Sequence, residues 1–411
     1  MTLTTTPLPA DLLALDTRDP LAHTRADFLL PPGVIYLDGN SLGPLHRSVP
    51  ARLAHAAQHE WGDQLIRSWT GDADWMHLPD RVAAKLARLI GAQPHEIAVG
   101  DSTSVNVFKA LAAALGIAPA GRRVILTDAD NFPTDLYVAQ GLNALLGGGY
   151  ELRAVPNTEI AQHLTPDVAV MLLTEVDYRT GRRLDLGGLT AQAHAVGSVT
   201  IWDLAHSAGA FPVDLGGTGA DFAVGCGYKF LNGGPGAPGY LYVAGRHLDS
   251  APIAIRGWMG HADVFEMARE FIPAPGARRF VPGTPQVLGL SALDAALDAF
   301  ADVDMQDIRA KSLSLTSTFM ALMEPLLARH PLELVTPTAP DERGSQVSYR
   351  HPHAREVMGQ LTARGIIGDF RTPDILRFGF TPLYLSHADV WHAVQGITAV
   401  LDGAALDGGV A

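Results

Sequence analysis

The chain has 411 residues, 47% hydrophobic and 18% charged, with a formal net charge of −13. That length calls for two domains or one large domain with an appendage, and the residue mix is that of a folded globular protein, not a disordered one. The acidic balance argues against nucleic acid or an anionic membrane as a partner, but leaves room for a small anionic ligand in a locally positive pocket.

A single cysteine, Cys226, excludes an internal disulfide and suits a reducing compartment. The first residues lack the basic start and apolar core of a signal peptide, so a cytoplasmic location is expected. No stretch suggests a metal site or a membrane helix.

Residues 1–60 read as an N-terminal arm and linking helix: prolines at 7, 9, 20, 31 and 32, a short helix near 9–15, and a strand at 34–38. The turn Gly39-Asn40-Ser41-Leu42-Gly43-Pro44 follows, then helical patterns at 46–61 and 78–91, the second closed by Gly91. Between them, 67–75 has loop composition and two tryptophans, Trp69 and Trp75, suggesting contact with a partner or ligand. Residues 61–300 are expected to form a large α/β domain. Its strand candidates at 96–100, 122–127, 150–155, 167–173, 199–203, 220–224 and 239–243 alternate with helical patterns, which predicts a mostly parallel sheet with helices on both faces. A helical stretch at 285–300 ends it. Residues 301–411 read as a smaller α+β domain, with helices at 304–329, 353–364 and 386–402 and strands near 332–336, 345–350, 366–371 and 375–380. Residues 407–411 read as a frayed tail.

The chemistry centres on Gly225–Gly236, where a buried strand breaks into glycine and proline around Lys229. Of four lysines, Lys85, Lys109 and Lys311 lie in helical patterns and are expected to be solvated surface charges. Lys229 alone stands at a strand end among glycines, which let a bulky ligand approach. A partly desolvated amine there loses its proton readily and attacks carbonyls. An incidental lysine in a surface turn is the alternative for this stretch alone.

The strand at 199–203 delivers Asp203 and then His206 at its carboxyl end, the edge where open α/β sheets collect ligand groups. The 26 residues from Asp203 to Lys229 allow a return to that edge. A lysine for an aldehyde and an aspartate for a pyridine nitrogen suit pyridoxal phosphate; a helix cap or buried ion pair is the alternative for Asp203. The segment Asp101–Asn106, with Thr103 and Ser104, opens a helix after a strand and makes an anion seat, compatible with ordinary capping. In Asn131-Phe132-Pro133-Thr134-Asp135, the ring of Phe132 suits stacking on a pyridine, and Asp135 suits a ring hydroxyl or a proton. Their alternatives are a core ring and a helix-start charge. Arg377, within the apolar run Leu376–Phe380, wants an anion: a substrate α-carboxylate gripped by the guanidinium fork, or a buried structural ion pair. For His206 and His261 a core-histidine role stays open.

Taken together, the chain resembles a fold-type I pyridoxal-phosphate enzyme of the class V aminotransferase kind, and more narrowly the bacterial kynureninases. The resemblance rests on Gly39-Asn40-Ser41-Leu42-Gly43, Asn131-Phe132-Pro133-Thr134-Asp135, Trp202-Asp203-Leu204-Ala205-His206, Gly227-Tyr228-Lys229-Phe230-Leu231-Asn232, Gly257-Trp258-Met259-Gly260-His261 and Arg377-Phe378-Gly379, in order along nearly the whole chain. It implies a mostly parallel seven-stranded sheet between helices, a smaller C-terminal α+β domain, and a homodimer with shared sites. It implies that Lys229 binds the cofactor aldehyde and shuttles the α-proton, and that Asp203 pairs with the pyridine nitrogen beside His206. It gives the phosphate to Thr103, Ser104, Tyr228 and Trp258, with Tyr228 also a proton donor. Phe132 would stack, Asp135 and Thr174 would complete the shell, and Asn40, Ser41 and Arg377 would meet the substrate. The family often has asparagine where this chain has Thr284, a cofactor-side position that bears on the choice between kynurenine and its 3-hydroxy form. The implied reaction is hydrolytic Cβ–Cγ cleavage of kynurenine to anthranilate and alanine. The rivals are a cysteine desulfurase, for which Cys226 is poorly placed, a small aminotransferase, or a non-catalytic binder of the cofactor.

Overall fold

The computed structural model describes residues 7–403; residues 1–6 and the expected frayed tail at 407–411 lie outside the described residues. The strands in chain order begin with β1 (Ile35–Tyr36), β2 (Ile97–Val99), β3 (Val124–Asp128) and β4 (Glu151–Val155). They continue with β5 (Val168–Thr174), β6 (Val199–Asp203), β7 (Phe222–Cys226) and β8 (Gly239–Val243). All but β1 join one seven-stranded sheet in the order β2-β8-β7-β6-β5-β3-β4. Neighbours from β4 through β7 pair in parallel, and β8 runs antiparallel to both β7 and β2. Six strands therefore end at one edge, where β8 begins. All seven expected strands are present.

Every residue of β5, β6 and β7 is buried, which is why they read as continuous apolar runs instead of alternating ones. The pleat still sorts them. Met171, Leu173 and Trp202 join the core on one face with Leu86 and Ile90, while Val170, Leu172 and Ile201 join the other with Leu111 and Ala114. The second face is covered by the helix Thr103–Ile117, which packs on β6, β7 and β8.

The smaller C-terminal domain holds β9 (Glu333–Leu334), β10 (Gln346–Arg350), β11 (Ile366–Ile367), β12 (Asp369–Arg371) and β13 (Ile375–Gly379). Four of these form an antiparallel sheet in the order β12-β13-β10-β9. β11 instead pairs in parallel with β1, tying the N-terminal segment to this domain. The expected strand at 366–371 is thus two strands in two sheets, parted at Gly368. A Cβ at Gly368 would lie 2.7 Å from the carbonyl oxygen of Arg377, so only a bare backbone passes there.

Two further expectations are corrected, the extent of one helix and the setting of the lysines. The helix expected at 46–61 is α-helical only over Ser48–His55 and continues as π-helix over Ala56–Gln64. The two tryptophans of 67–75 meet each other edge to face at 5.6 Å, and the indole N–H of buried Trp75 donates to Glu60 at 2.8 Å. Two of the supposed surface lysines are buried. Lys109 pairs with Asp101, and Lys311 with Asp19 at 2.6 Å; only Lys85 stays partly exposed, between Asp294 and Asp298. A helical pattern shows which residues share a face and not whether a polar member finds a buried partner.

Candidate active site

The carboxyl edge of the large sheet opens into a cavity of about 180 Å³. β5 ends there in Thr174 and β6 in Asp203, with His206 three residues on. β7 leads through Cys226 to Tyr228 and Lys229, β2 leads into the helix beginning at Thr103, and β3 leads to Phe132 and Asp135. Thr103, Ser104, Phe132, Asp135, Thr174, Asp203, His206, Tyr228 and Lys229 all line this one cavity.

Nζ of Lys229 lies 3.3 Å from Nε2 of His206 and 5.8 Å above the ring of Tyr228. His206 is buried. Burial first, then the charges of Lys229, Arg377 and Arg371, hold its pKa well below the ordinary value, so the imidazole is neutral and accepts from the amine. Burial raises the Asp203 carboxyl, opposed by Lys229 and by the N–H of Ala205, which donates to it at 2.7 Å. Burial, reinforced by Asp203, pushes Asp135 well above the carboxylate range, and its Oδ2 has no hydrogen-bond partner among the described residues. Two buried carboxyls thus face one lysine. A cationic or N–H partner entering the cavity would satisfy what the protein alone leaves open. Tyr228 is pushed up to about 12, mainly by burial, and keeps its phenolic proton at neutral pH.

The anion seat is built of backbone. Ser102 caps the helix by accepting from Val105 N–H at 3.3 Å, and the Thr103 hydroxyl donates to the carbonyl of Gly225 at 3.3 Å. The first-turn N–H groups of Thr103 and Ser104 have no intrahelical partner by geometry and carry the positive end of the helix dipole. Gly239 keeps the approach open, since a Cβ there would lie 3.1 Å from Thr103 N and 2.8 Å from Gly225 O. Phe132 is 41% exposed and meets Tyr178 edge to face at 5.2 Å, so its ring is cavity lining and not core. The Thr174 hydroxyl donates to Asn131 Oδ1, which also accepts from Phe132 N–H at 2.8 Å and so fixes the aromatic segment. An anion seat, a buried carboxyl, an exposed aromatic face and an amine within one cavity fit a phosphorylated pyridine aldehyde.

Arg377 sits apart from this lining, 1% exposed, in the centre of β13. Its charge is met within the chain. Nε donates to Asp369 at 2.8 Å and Nη2 to the other oxygen of the same carboxylate, while Nη1 donates to the carbonyl of Tyr178 at 2.6 Å and Nη2 to Ser41 at 2.7 Å. The side-on face of the fork therefore already holds a carboxylate, the arrangement given above as the alternative. Ser41 also donates to Asp369 at 2.8 Å, and Arg371 donates to Asp369 at 2.7 Å. Asn40 is fully buried, donates to Gln346 at 3.3 Å, and leaves Oδ1 unpartnered among the described residues.

Trp258 and Thr284 stand outside the cavity of the single chain. Trp258 lines a separate cleft with Arg256 and Phe271, and Thr284 is exposed. His261 is buried at the base of that loop, bonded to the carbonyls of Asp263 and Glu270. The sequence reading missed Tyr178, Asp369 and Arg371. Tyr178 follows β5 at the ligand edge, a signal that was readable; Asp369 and Arg371 lie in a polar strand whose pairing with β13 only the fold reveals.

The model for the kynureninase C-terminal domain matches residues 308–397. The kynureninase of Deinococcus radiodurans is 72% identical over 406 residues, covering 97% of this chain and 98% of that one. That of Burkholderia mallei is 50% identical over 397 residues, 95% of each chain. Among solved structures, a cysteine desulfurase from Thermococcus onnurineus aligns with a TM-score of 0.77 at 20% identity over 94% of this chain and 99% of that one. The Escherichia coli cysteine desulfurase CsdA aligns at 0.76 and 24%, over 93% and 98%. At such identities these two speak for the fold alone, while the full-length relatives decide the family: the chain belongs to the kynureninases.

Proposed function

We infer that this protein is a pyridoxal-phosphate-dependent kynureninase, which hydrolyses the Cβ–Cγ bond of L-kynurenine to anthranilate and L-alanine. The observation that carries the reading is the meeting of Lys229, Asp203, His206 and the helix start at Thr103 in one cavity, in a chain whose full-length relatives are kynureninases. Pyridoxal phosphate, when bound, supplies a protonated pyridine that draws electrons from the bonds at the substrate's Cα.

The residues divide the remaining work. Lys229 provides the amine for the cofactor aldehyde and the base that takes the proton from Cα, with neutral His206 accepting from Nζ and holding it in place. Asp203 holds the proton on the ring nitrogen; burial raises its pKa against the pull of Lys229 and the Ala205 N–H, and a cationic N–H beside it favours the charged form. The N–H groups of Thr103 and Ser104 hold the phosphate. Phe132 offers a stacking face, and Asp135, in the same cavity lining, a carboxyl for the ring hydroxyl. Tyr228, protonated at neutral pH, serves as a proton donor close to Lys229. Arg377 binds the substrate carboxylate through the end of its fork that Ser41 and the Tyr178 carbonyl now cap.

The same reading includes a homodimer. Leu29, Leu42 and Leu45 are exposed around an apolar groove of about 460 Å³, and a second copy would cover it. Trp258 and Thr284, set apart from their own chain's cavity, would then belong to a shared site. Among the described residues no helix is long and apolar enough to cross a membrane; the single cysteine supports a cytoplasmic location. Incubation with kynurenine tests the function: anthranilate and alanine should appear in equal amounts without any keto acid. A requirement for a keto acid, or release of sulfide from cysteine, would assign another reaction.

A further inference from the structure

Arg377 has more partners than a side chain waiting for substrate needs. Asp369 grips its Nε and Nη2 from the side, and among the described residues the Nη1–Nη2 end carries only a hydroxyl, Ser41, and a carbonyl, Tyr178. Asp369 also holds Arg371, whose Nε has no partner among the described residues. Register places these groups face to face, since Asp369 lies directly opposite Arg377 across the β12–β13 pair. Arg371 influences Tyr228, Tyr178 and His206, so its charge reaches the cavity.

We propose that Asp369 is the positioning residue of the carboxylate seat: it clamps the side of Arg377 and the tip of Arg371, and thereby aims the Nη1–Nη2 end of the Arg377 fork, which Ser41 and the Tyr178 carbonyl cap, at the substrate. The inference rests on Arg377 being the carboxylate-binding residue. A guanidinium presents two usable edges, and a carboxylate fixed on one edge sets the direction of the other. Ser41, which donates to Asp369 and receives from both arginines, is the contact that can rotate away when the substrate arrives. An arginine held in advance loses little freedom on binding, so the effect belongs in KM more than in kcat.

The test uses the cofactor-loaded enzyme and a cycle of Asp369→Asn, Arg377→Lys and the double variant, with Asp369→Glu alongside. Kinetics with kynurenine, the cofactor absorption spectrum and the melting temperature are recorded for each. Asp369→Asn should raise KM roughly 10- to 100-fold with kcat changed far less, as coupled neighbours do. Asp369→Glu should recover part of that rise, and the effect of Asp369→Asn should largely vanish in the Arg377→Lys background. Unchanged or lowered KM in Asp369→Asn, with Arg377→Lys impaired, overturns the positioning role while leaving Arg377 as the carboxylate site. Full activity of Arg377→Lys removes that site itself. Loss of folding in both Asp369 variants assigns the residue to structure alone and also overturns the proposal.

Discussion

The amine of Lys229 and the imidazole of His206 face each other at 3.3 Å, the histidine neutral because it is buried among positive charges. A neutral acceptor orients the lysine without holding its proton by charge, which suits an amine that must act as nucleophile and then as base. The purified protein should be yellow, and borohydride reduction followed by peptide mapping should put the cofactor on Lys229. Lys229→Ala should abolish the covalent link while leaving the fold intact. Label on Lys85, Lys109 or Lys311 instead would overturn it.

Asp203 is buried and, among the described residues, accepts a backbone N–H from Ala205. Asp203→Asn should preserve folding and cofactor binding but lose activity, because an amide cannot keep the ring nitrogen protonated. A hydrogen bond to a charged group contributes roughly 1.5–3 kcal/mol, which corresponds to a fall of about 10- to 150-fold in kcat. Turnover within a factor of two of the parent would mean that another group holds the ring.

What was legible beforehand follows from chemistry that is local in sequence. Asp203, Lys229 and Thr103 each sit where a strand ends, and strand ends show as apolar runs breaking into glycine or polar residues. Because six strands point the same way, residues from distant segments meet at one edge. The partner of Arg377 was not legible in the same way. Asp369 is eight residues away in a segment read as one strand with 366–367, and its position opposite Arg377 depends on the break at Gly368. The buried state of Lys311 was hidden for a like reason, since Asp19 lies in the N-terminal arm and only the tertiary fold brings it to Lys311.

Asp38 adds a pH dependence to this region. Burial, followed by the charge of Asp369, pushes its carboxyl up to about 7, against the pull of Ser41, Arg377 and Arg371. The folded state therefore prefers Asp38 protonated. The stability it contributes is complete below the unfolded value near 4 and is lost as pH rises through 7. Asp38→Asn cannot ionise, so its unfolding free energy relative to the parent should improve by on the order of 2–4 kcal/mol from pH 4.5 to 8. Urea titrations at the two pH values measure this. A difference independent of pH would show that Asp38 ionises as an ordinary carboxylate.

The pair of Lys311 with Asp19 gives the last prediction. Nζ of Lys311 lies 2.6 Å from Asp19 Oδ2 and 2.6 Å from the carbonyl of Pro382, with side chains only 7% and 4% exposed. Three segments meet there: the arm, the long helix Met305–Leu327, and the chain just beyond β13. Lys311→Met fills similar volume but leaves a buried carboxylate and a carbonyl without their donor. Breaking a buried pair from one side costs about 3–5 kcal/mol, whereas replacing both partners by apolar or neutral groups is often close to neutral. Lys311→Met should therefore unfold at markedly lower denaturant, and adding Asp19→Asn should restore much of the loss. Since neither residue lines the cavity, kcat of the folded variants should stay near the parent value. A single variant as stable as the parent would show that the pair is solvated in solution, and a double variant no better than the single would show that the lost interaction is with Pro382 and not with Asp19.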